Sequence, residues 1–522
     1  MSIGLLFSRA QRHRVWLALA AITLLAAAVR CWRLTTLPPG YWFDEAHKSL
    51  VALQILRGER FPVYVTDYQG VEAGYAWLLA AWFRLFGPGY FGTRALSALI
   101  GTSTIPLTFW TVRTAYVSYP RRDTLALGAA LFLSFILWHV HWSRTGLETI
   151  TVPFFAAALF GLLAWAWQRE QGRWFFIAGA VLGLSQYSNP GARVLPLEAL
   201  FVFWMLGHGP WPRRIGLGLS FLAGAVLIYA PLGWFFLNNP QWFLNRVAFA
   251  SANARIHGWP FIFDSAVKTL LSFNFRGDVM PRHNLSLRPA LDPLSSLWMV
   301  VGGLAMLRER DHARVHLTLL GVLAINLLPM LFSDGAPGFG RTLGAVPMLV
   351  ALPGLGAAAA LEWARHRRGA QVLIVLSLAG SIGLNLYDYF VQYPAQPGLF
   401  DAFEVGQWTF TQAAVKAAEA GGTGYLLLNE SNLNHPETDL AREWTRGDLR
   451  IVNTHTCLAY PSRTMTDTVF AVMRDALPRV LAEYPQARQT NIMHEPEVYL
   501  DAAILTVPAG QSSVSGGAAS LA

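Results

Sequence analysis

A chain of 522 residues that is 54% hydrophobic and only 14% charged, with a mean hydropathy of +0.36, is too apolar for a soluble domain of that length. It reads as a polytopic membrane protein, and its two cysteines exclude a disulfide framework. The formal charge of +9 does not point to nucleic acid, because most of the arginine stands in short clusters between apolar spans, which is a topology pattern.

In chain order, Arg9, Arg12 and Arg14 precede an apolar run near 15–31. Ala26-Ala27-Ala28 mimics a signal-peptide cleavage site, yet a retained helix is expected, because the loop after it needs an anchor. That loop reads Pro-Pro-Gly-Tyr-Trp-Phe-Asp-Glu-Ala-His-Lys from Pro38 and enters a helix ending near Arg57 and Gly58. Adjacent carboxylates at the start of an aromatic-flanked helix, Asp44 and Glu45, suit an acid/base centre. The competing reading is that Asp44 caps a helix beginning at Glu45, since Asp is a favoured N-cap and acids suit a helix N-terminus. His47 and Lys48, one turn in, read as solvated.

Residues 73–86 are apolar but too short to span and read as an interfacial helix before Gly87-Pro88-Gly89. Further apolar segments follow near 91–112, 123–140, 149–168, 174–189, 194–207, 214–235, 291–307, 314–333, 341–361 and 370–387, about eleven with the first. Arg113 with Arg121/Arg122, Arg169/Arg173, Arg213/Arg214, Arg308/Arg310/Arg314 and Arg365/Arg367/Arg368 fall on alternate loops together with the N-terminal trio, which marks the cytoplasmic side. The N-terminus is then inside and the C-terminus outside. The opposite loops carry Asp44, Glu45 and Glu72, then Arg144 and Glu148, Asn189 and Arg193, the stretch 238–290, and Arg341 after Ser333-Asp334-Gly335. Basic residues are normally sparse on that face, so their gathering there points to an anionic ligand.

Beyond Tyr387 polar residues spread evenly, with helical patterns at 400–420 and 464–484 and strand patterns at 425–429, 451–453 and 499–507. The expected fold is an all-α polytopic membrane domain over 1–387, a small extracytoplasmic α/β domain over 388–509 and a disordered Gly/Ser/Ala tail over 510–522. Gly421-Gly422-Thr423-Gly424 reads as a turn and not as a phosphate cradle.

Pro39-Gly40-Tyr41-Trp42-Phe43-Asp44-Glu45-Ala46, Gly70-Val71-Glu72, Ser143-Arg144-Thr145-Gly146-Leu147-Glu148 and Ala192-Arg193 together resemble the C-type glycosyltransferases (GT-C), of the protein O-mannosyltransferase and lipid A aminoarabinose transferase kind. Gly277-Asp278-Val279-Met280-Pro281-Arg282-His283-Asn284, followed by Leu291-Asp292-Pro293, resembles a loop of bacterial members. The resemblance covers about 10–390. It implies a multi-pass enzyme of the bacterial cytoplasmic (inner) membrane that passes a hexosyl or pentosyl group, with inversion, from a polyprenyl-phosphate donor to a lipid, glycan or protein acceptor outside the cytoplasm. A hydroxyl acceptor needs a positioned base at neutral pH, a role the resemblance gives to Asp44. The departing lipid phosphate needs cations, for which Arg144, Arg193, Arg282, His283 and Arg341 are candidates, with Glu72 and Glu148 as further site residues. The aminoarabinose transferase branch places a lysine after the acid of the second motif. Here the chain reads Glu72-Ala73-Gly74-Tyr75, which shifts phosphate binding first to Arg282 or His283. No cofactor and no metal ligands are assigned, and a divalent cation stays open.

Each residue also has a plainer reading. Arg144 and Glu148 are spaced as a helix-surface ion pair. His139 and His141 in Trp-His-Val-His-Trp have ligand chemistry but diverge on a helix, which favours packing. Arg193 could only snorkel, Arg94 and Arg341 could only begin outer helix ends, and His283 could be a loop residue. A transporter or flippase for a lipid-linked or anionic solute is the alternative function, but such proteins place ionisable groups near the bilayer midplane, whereas these spans are almost uncharged between their ends. A non-catalytic assembly subunit with the same fold is the third.

Overall fold

The computed structural model describes residues 3–458, 460–491, 502–515 and 520–521, and it divides into two compact units. One takes Met1–Leu34, Phe61–Leu78 and Arg94–Gln396; the other takes Thr35–Arg60, Leu79–Thr93 and Pro397–Ala522.

The first unit is a helical bundle. Every expected apolar segment is helical, and among the described residues seven helices are long and apolar enough to cross a membrane: His13–Cys31, Tyr90–Ala115, Glu148–Arg169, Trp211–Asn238, Arg310–Leu331, Leu343–Trp363 and Arg368–Ala395. Four other expected spans are shorter, Arg122–Phe135, Gly172–Ser185, Leu195–Leu206 and Pro293–Arg308. At about 1.5 Å per residue the twelve residues of Leu195–Leu206 reach about 18 Å, short of a hydrocarbon core of about 30 Å. Near 123–140 the helix breaks at Ile136, and the Leu137 N–H released by the break donates to the Asn385 side chain at 3.0 Å.

Glycine sets the closest approaches. A Cβ at Gly179 would stand 1.8 Å from the Phe221 carbonyl oxygen, and one at Gly224 would stand 2.1 Å from that of Phe176, so Gly172–Ser185 and Trp211–Asn238 pack backbone to backbone. Gly302 and Gly356 do the same for Pro293–Arg308 and Ala351–Trp363.

The second unit is built on a five-stranded sheet. We number its strands β1 Thr423–Leu428, β2 Asp448–Asn453, β3 Thr468–Met473, β4 Arg488–Asn491 and β5 Ala502–Val507, lying in the order β2-β1-β3-β5-β4. β1 runs parallel to β2 and β3, while β5 is antiparallel to β3 and β4. Leu426, Leu428 and Ala471 pack on Phe410 and Ala414 of the helix Val405–Glu419, and Leu427, Phe470 and Val472 pack on Val480 and Tyr484 on the other face. The helix expected over 464–484 is therefore corrected to β3, a turn and the short helix Leu477–Glu483. The run Thr-Val-Phe-Ala-Val-Met is apolar on both faces of a central strand, so it lacks the alternation that betrays a half-buried strand. Of the strand expected over 499–507, residues 499–501 lie outside the described residues. Within the tail, Gln511 donates its N–H to Thr464 Oγ1 at 3.0 Å and Ser512 pairs with Arg463.

Candidate active site

The helix Phe43–Leu56 belongs to the second unit. Its entry is tight: Gly40 has φ +65°, and a Cβ there would stand 2.4 Å from the Phe403 carbonyl oxygen. Tyr41, buried, packs against Tyr90 and Trp408 and shares a 2.6 Å hydrogen bond with Ser49. The extended Trp42 is the N-cap residue, so the helix begins before Asp44, and the expectation that Asp44 caps a helix starting at Glu45 does not hold. The capping carboxylate is that of Glu45, which is fully buried and accepts the Trp42 N–H through Oε2 at 3.3 Å. Phe43 N–H donates to Glu404 Oε2 at 2.8 Å. Asp44 is the second residue of the helix and half-buried. His47 and Lys48 are buried, where solvation was expected.

The first unit gathers the other candidates into two clusters and a helix cap. In the first cluster a short antiparallel ribbon, Tyr64–Val65 with Val71–Glu72, carries Glu72 inward. Arg193 Nη2 donates to Glu72 Oε1 at 3.0 Å, with the guanidinium 4.5 Å from the Phe243 ring centre. Burial pushes the Glu72 carboxyl above its ordinary range; Arg193 opposes the shift and the neighbouring Glu148 adds to it. Glu148 accepts from Asn189 Nδ2 at 3.2 Å, and Asn189 in turn caps the turn Pro190–Val194 by accepting the Gly191 N–H at 2.8 Å. Asn189 thus ties the Arg193 turn to Glu148, and Arg193 ties it to Glu72.

In the second cluster Asp278 is the hub. Its Oδ1 accepts the Met280 N–H at 2.9 Å, and its Oδ2 accepts the Phe339 N–H at 2.9 Å and lies 3.1 Å from His283 Nδ1. The His283 side chain keeps 27% of its surface exposed and lies against Trp142. The Arg282 carbonyl accepts from His141 Nε2 at 2.7 Å. Arg341 is exposed and donates to the Asp334 carbonyl.

Arg144 forms the helix cap. It is fully buried, and its Nη1 donates to the carbonyls of Val29 at 2.6 Å and Arg30 at 2.7 Å, its Nη2 to that of Trp32, and its Nε to the Tyr389 hydroxyl at 3.2 Å. These carbonyls close the last turn of Ile3–Cys31, so the guanidinium caps that helix. Burial lowers the Arg144 pKa from its ordinary value.

Sequence reasoning missed Arg30, Asp278 and Glu404. Arg30, a lone cation in an apolar helix, donates to His139 Nδ1 at 2.9 Å and to the carbonyls of Ser134 and Ala26. An ionisable residue inside a span was the signal for it. Asp278 stood in the quoted 277–284 motif, while nothing in the sequence links Glu404 to Phe43. Among the described residues no group of three or more His, Cys, Asp or Glu is arranged to hold a metal ion; His139 and His141 make the hydrogen bonds given above.

Residues 73–235 match the family described as dolichyl-phosphate-mannose-protein mannosyltransferase. Among solved structures, ArnT from Cupriavidus metallidurans in the apo state is 14% identical, with a TM-score of 0.51 over 95% of this chain and 98% of that one. ArnT bound to undecaprenyl phosphate matches at 14% identity and a TM-score of 0.50 over 94% and 97%. The archaeal oligosaccharyltransferase AglB from Archaeoglobus fulgidus is 15% identical with a TM-score of 0.48, and the match covers 76% of this chain but only 57% of AglB. No curated sequence matches. The family match over residues 73–235 and the fold shared with ArnT agree with the resemblance seen in the sequence, and the chain is a mostly helical, multi-pass membrane protein with a small C-terminal sheet domain.

Proposed function

We propose that the chain is an inverting glycosyltransferase that moves a hexosyl or pentosyl group from a polyprenyl-phosphate donor to a hydroxyl-bearing lipid, glycan or protein acceptor on the extracytoplasmic face of a bacterial inner membrane. The acceptor oxygen attacks the anomeric carbon and its proton passes to the Asp44 carboxylate. The bond from that carbon to the phosphate oxygen breaks, and the lipid phosphate leaves with the electron pair. The observation that carries this reading is the first turn of Phe43–Leu56, where Glu45 and Glu404 accept the Trp42 and Phe43 amides and Asp44, the second residue, is half-buried beside them. The bound undecaprenyl phosphate of ArnT, a protein of the same fold over nearly the whole chain, supports a polyprenyl-phosphate carrier.

Arg193, Arg282, His283 and Arg341 are the groups proposed to meet the lipid phosphate, since each carries a cation or potential cation in the non-cytoplasmic set of loops. Arg144 moves out of that list, because its donors close a helix end. Glu72 and Glu148 are proposed to hold Arg193 and its turn in place. The experiment is sugar release from a labelled polyprenyl-phosphate sugar by membranes carrying wild-type protein or Asp44→Asn. Loss of release in the variant is expected; equal turnover removes the catalytic role, and solute movement in sealed vesicles without glycosidic cleavage would instead mark a transporter.

A further inference from the structure

The C-terminal segment and the helix Phe43–Leu56 fall in one compact unit, and the segment holds that helix at both ends. At the N-terminal end Glu404 Oε2 takes the Phe43 N–H at 2.8 Å, filling one of the donors that a helix start leaves open and placing negative charge where the helix dipole favours it. His435 stands behind it. Its Nδ1 accepts the Glu437 N–H at 3.2 Å, which puts the hydrogen of a neutral ring on Nε2, 3.4 Å from Glu404 Oε2. The same ring packs edge-on against Phe43, 5.2 Å between centres. At the other end Arg57 pairs with Glu443 at 2.5 Å.

A second observation marks Glu404 apart from its hydrogen bond. Its backbone lies at φ 50° and ψ 39°, a left-handed conformation in which glycine or asparagine would be less strained. A residue held there despite the strain gains something from its side chain, whose contacts are the amide of Phe43, directly before Asp44, and the His435 ring.

We propose that Glu404, backed by His435, is a positioning residue for sugar transfer: it fixes the first turn of the acid-bearing helix and with it the direction of the Asp44 carboxylate. This rests on Asp44 acting as the base. Without Glu404 the Phe43 amide loses its acceptor and the turn can shift, and a displacement of about 1 Å at a reacting group costs about 100-fold in rate.

The test compares Glu404→Ala, Glu404→Gln and wild type in transfer from a labelled polyprenyl-phosphate sugar, with hydrogen exchange of the segment 41–48 measured on the same full-length preparations. Glu404→Ala should lose about 100-fold in kcat with little change in donor KM, and its first-turn amides should exchange faster. Glu404→Gln keeps an oxygen for the Phe43 amide and should restore most of the rate and the protection. Full turnover by a folded Glu404→Ala protein, a rise in KM alone, or a Gln variant as slow as Ala overturns the positioning role while glycosyl transfer stands. If wild type and Asp44→Asn are equally inactive, the glycosyltransferase reading fails instead; hydrogen exchange then still judges the clamp, and unchanged protection in Glu404→Ala overturns it.

Discussion

Replacing Arg144 with Ala separates a phosphate ligand from a helix cap. Its buried guanidinium spans the carbonyls of Val29, Arg30 and Trp32, and its Nε reaches the Tyr389 hydroxyl. Each hydrogen bond from a charged donor contributes about 1.5–3 kcal/mol, and truncation also strands carbonyls at the end of Ile3–Cys31. The lower bound over three carbonyls falls within the roughly 3–5 kcal/mol lost when a buried charged group is cut from its partners. Denaturant unfolding in detergent, followed by tryptophan fluorescence, should show Arg144→Ala destabilised by that amount, and Arg144→Lys should rescue little, because an ammonium cannot span the carbonyls as the planar fork does. The folded fraction should still bind polyprenyl phosphate. Unchanged stability together with lost phosphate binding would refute the capping role and return Arg144 to the ligand set.

Glu437 offers a pH test. It is fully buried, neither carboxyl oxygen has a hydrogen-bond partner, and burial, reinforced by Glu404, holds its pKa well above the ordinary value. Above the ordinary carboxylate range the unfolded chain then binds fewer protons than the folded one, so stability falls as pH rises toward the folded pKa, by at most about 1.4 kcal/mol per unit for one proton. Glu437→Gln should flatten that slope and stabilise the unit at neutral pH; an unaltered slope in unfolding curves taken across pH would show that Glu437 is not its source. Gly224→Leu should separate the helices Gly172–Ser185 and Trp211–Asn238, because even a Cβ at that position stands 2.1 Å from the Phe176 carbonyl oxygen. Overpacking of this kind costs about 1–3 kcal/mol or more, and a variant with wild-type unfolding and expression would contradict the close approach.

What the sequence made legible follows physical range. The apolar spans were readable because burial in lipid imposes long uninterrupted runs, and the acidic helix was readable because two adjacent carboxylates beside an apolar span are expensive without a reason. Short-range periodicity failed at Thr468–Met473, where a strand buried on both faces has lost the pattern that marks a strand. It failed again at Phe43, since the start of that helix is set by Glu404, 361 residues away in the chain. The i,i+4 spacing of Arg144 and Glu148 suggested a pair, but the chain leaves the helix at Trp142 and turns through 143–147, which sends Arg144 to Ile3–Cys31 and Glu148 to Asn189.

The first turn of Phe43–Leu56 explains why two adjacent acids can have different fates. Glu45 is long enough to reach back to the Trp42 amide, so burial and capping absorb it; Asp44, one residue earlier and one methylene shorter, stays half-buried. Glu404 then supplies from the C-terminal segment the anionic partner that the Phe43 amide requires. A helix start satisfied only by its own side chains would tie its acids to structure. Importing one acceptor from distant sequence lets the Phe43 amide be satisfied without an acid of the helix itself, and a proton-accepting role for Asp44 requires its carboxylate to reach the acceptor hydroxyl.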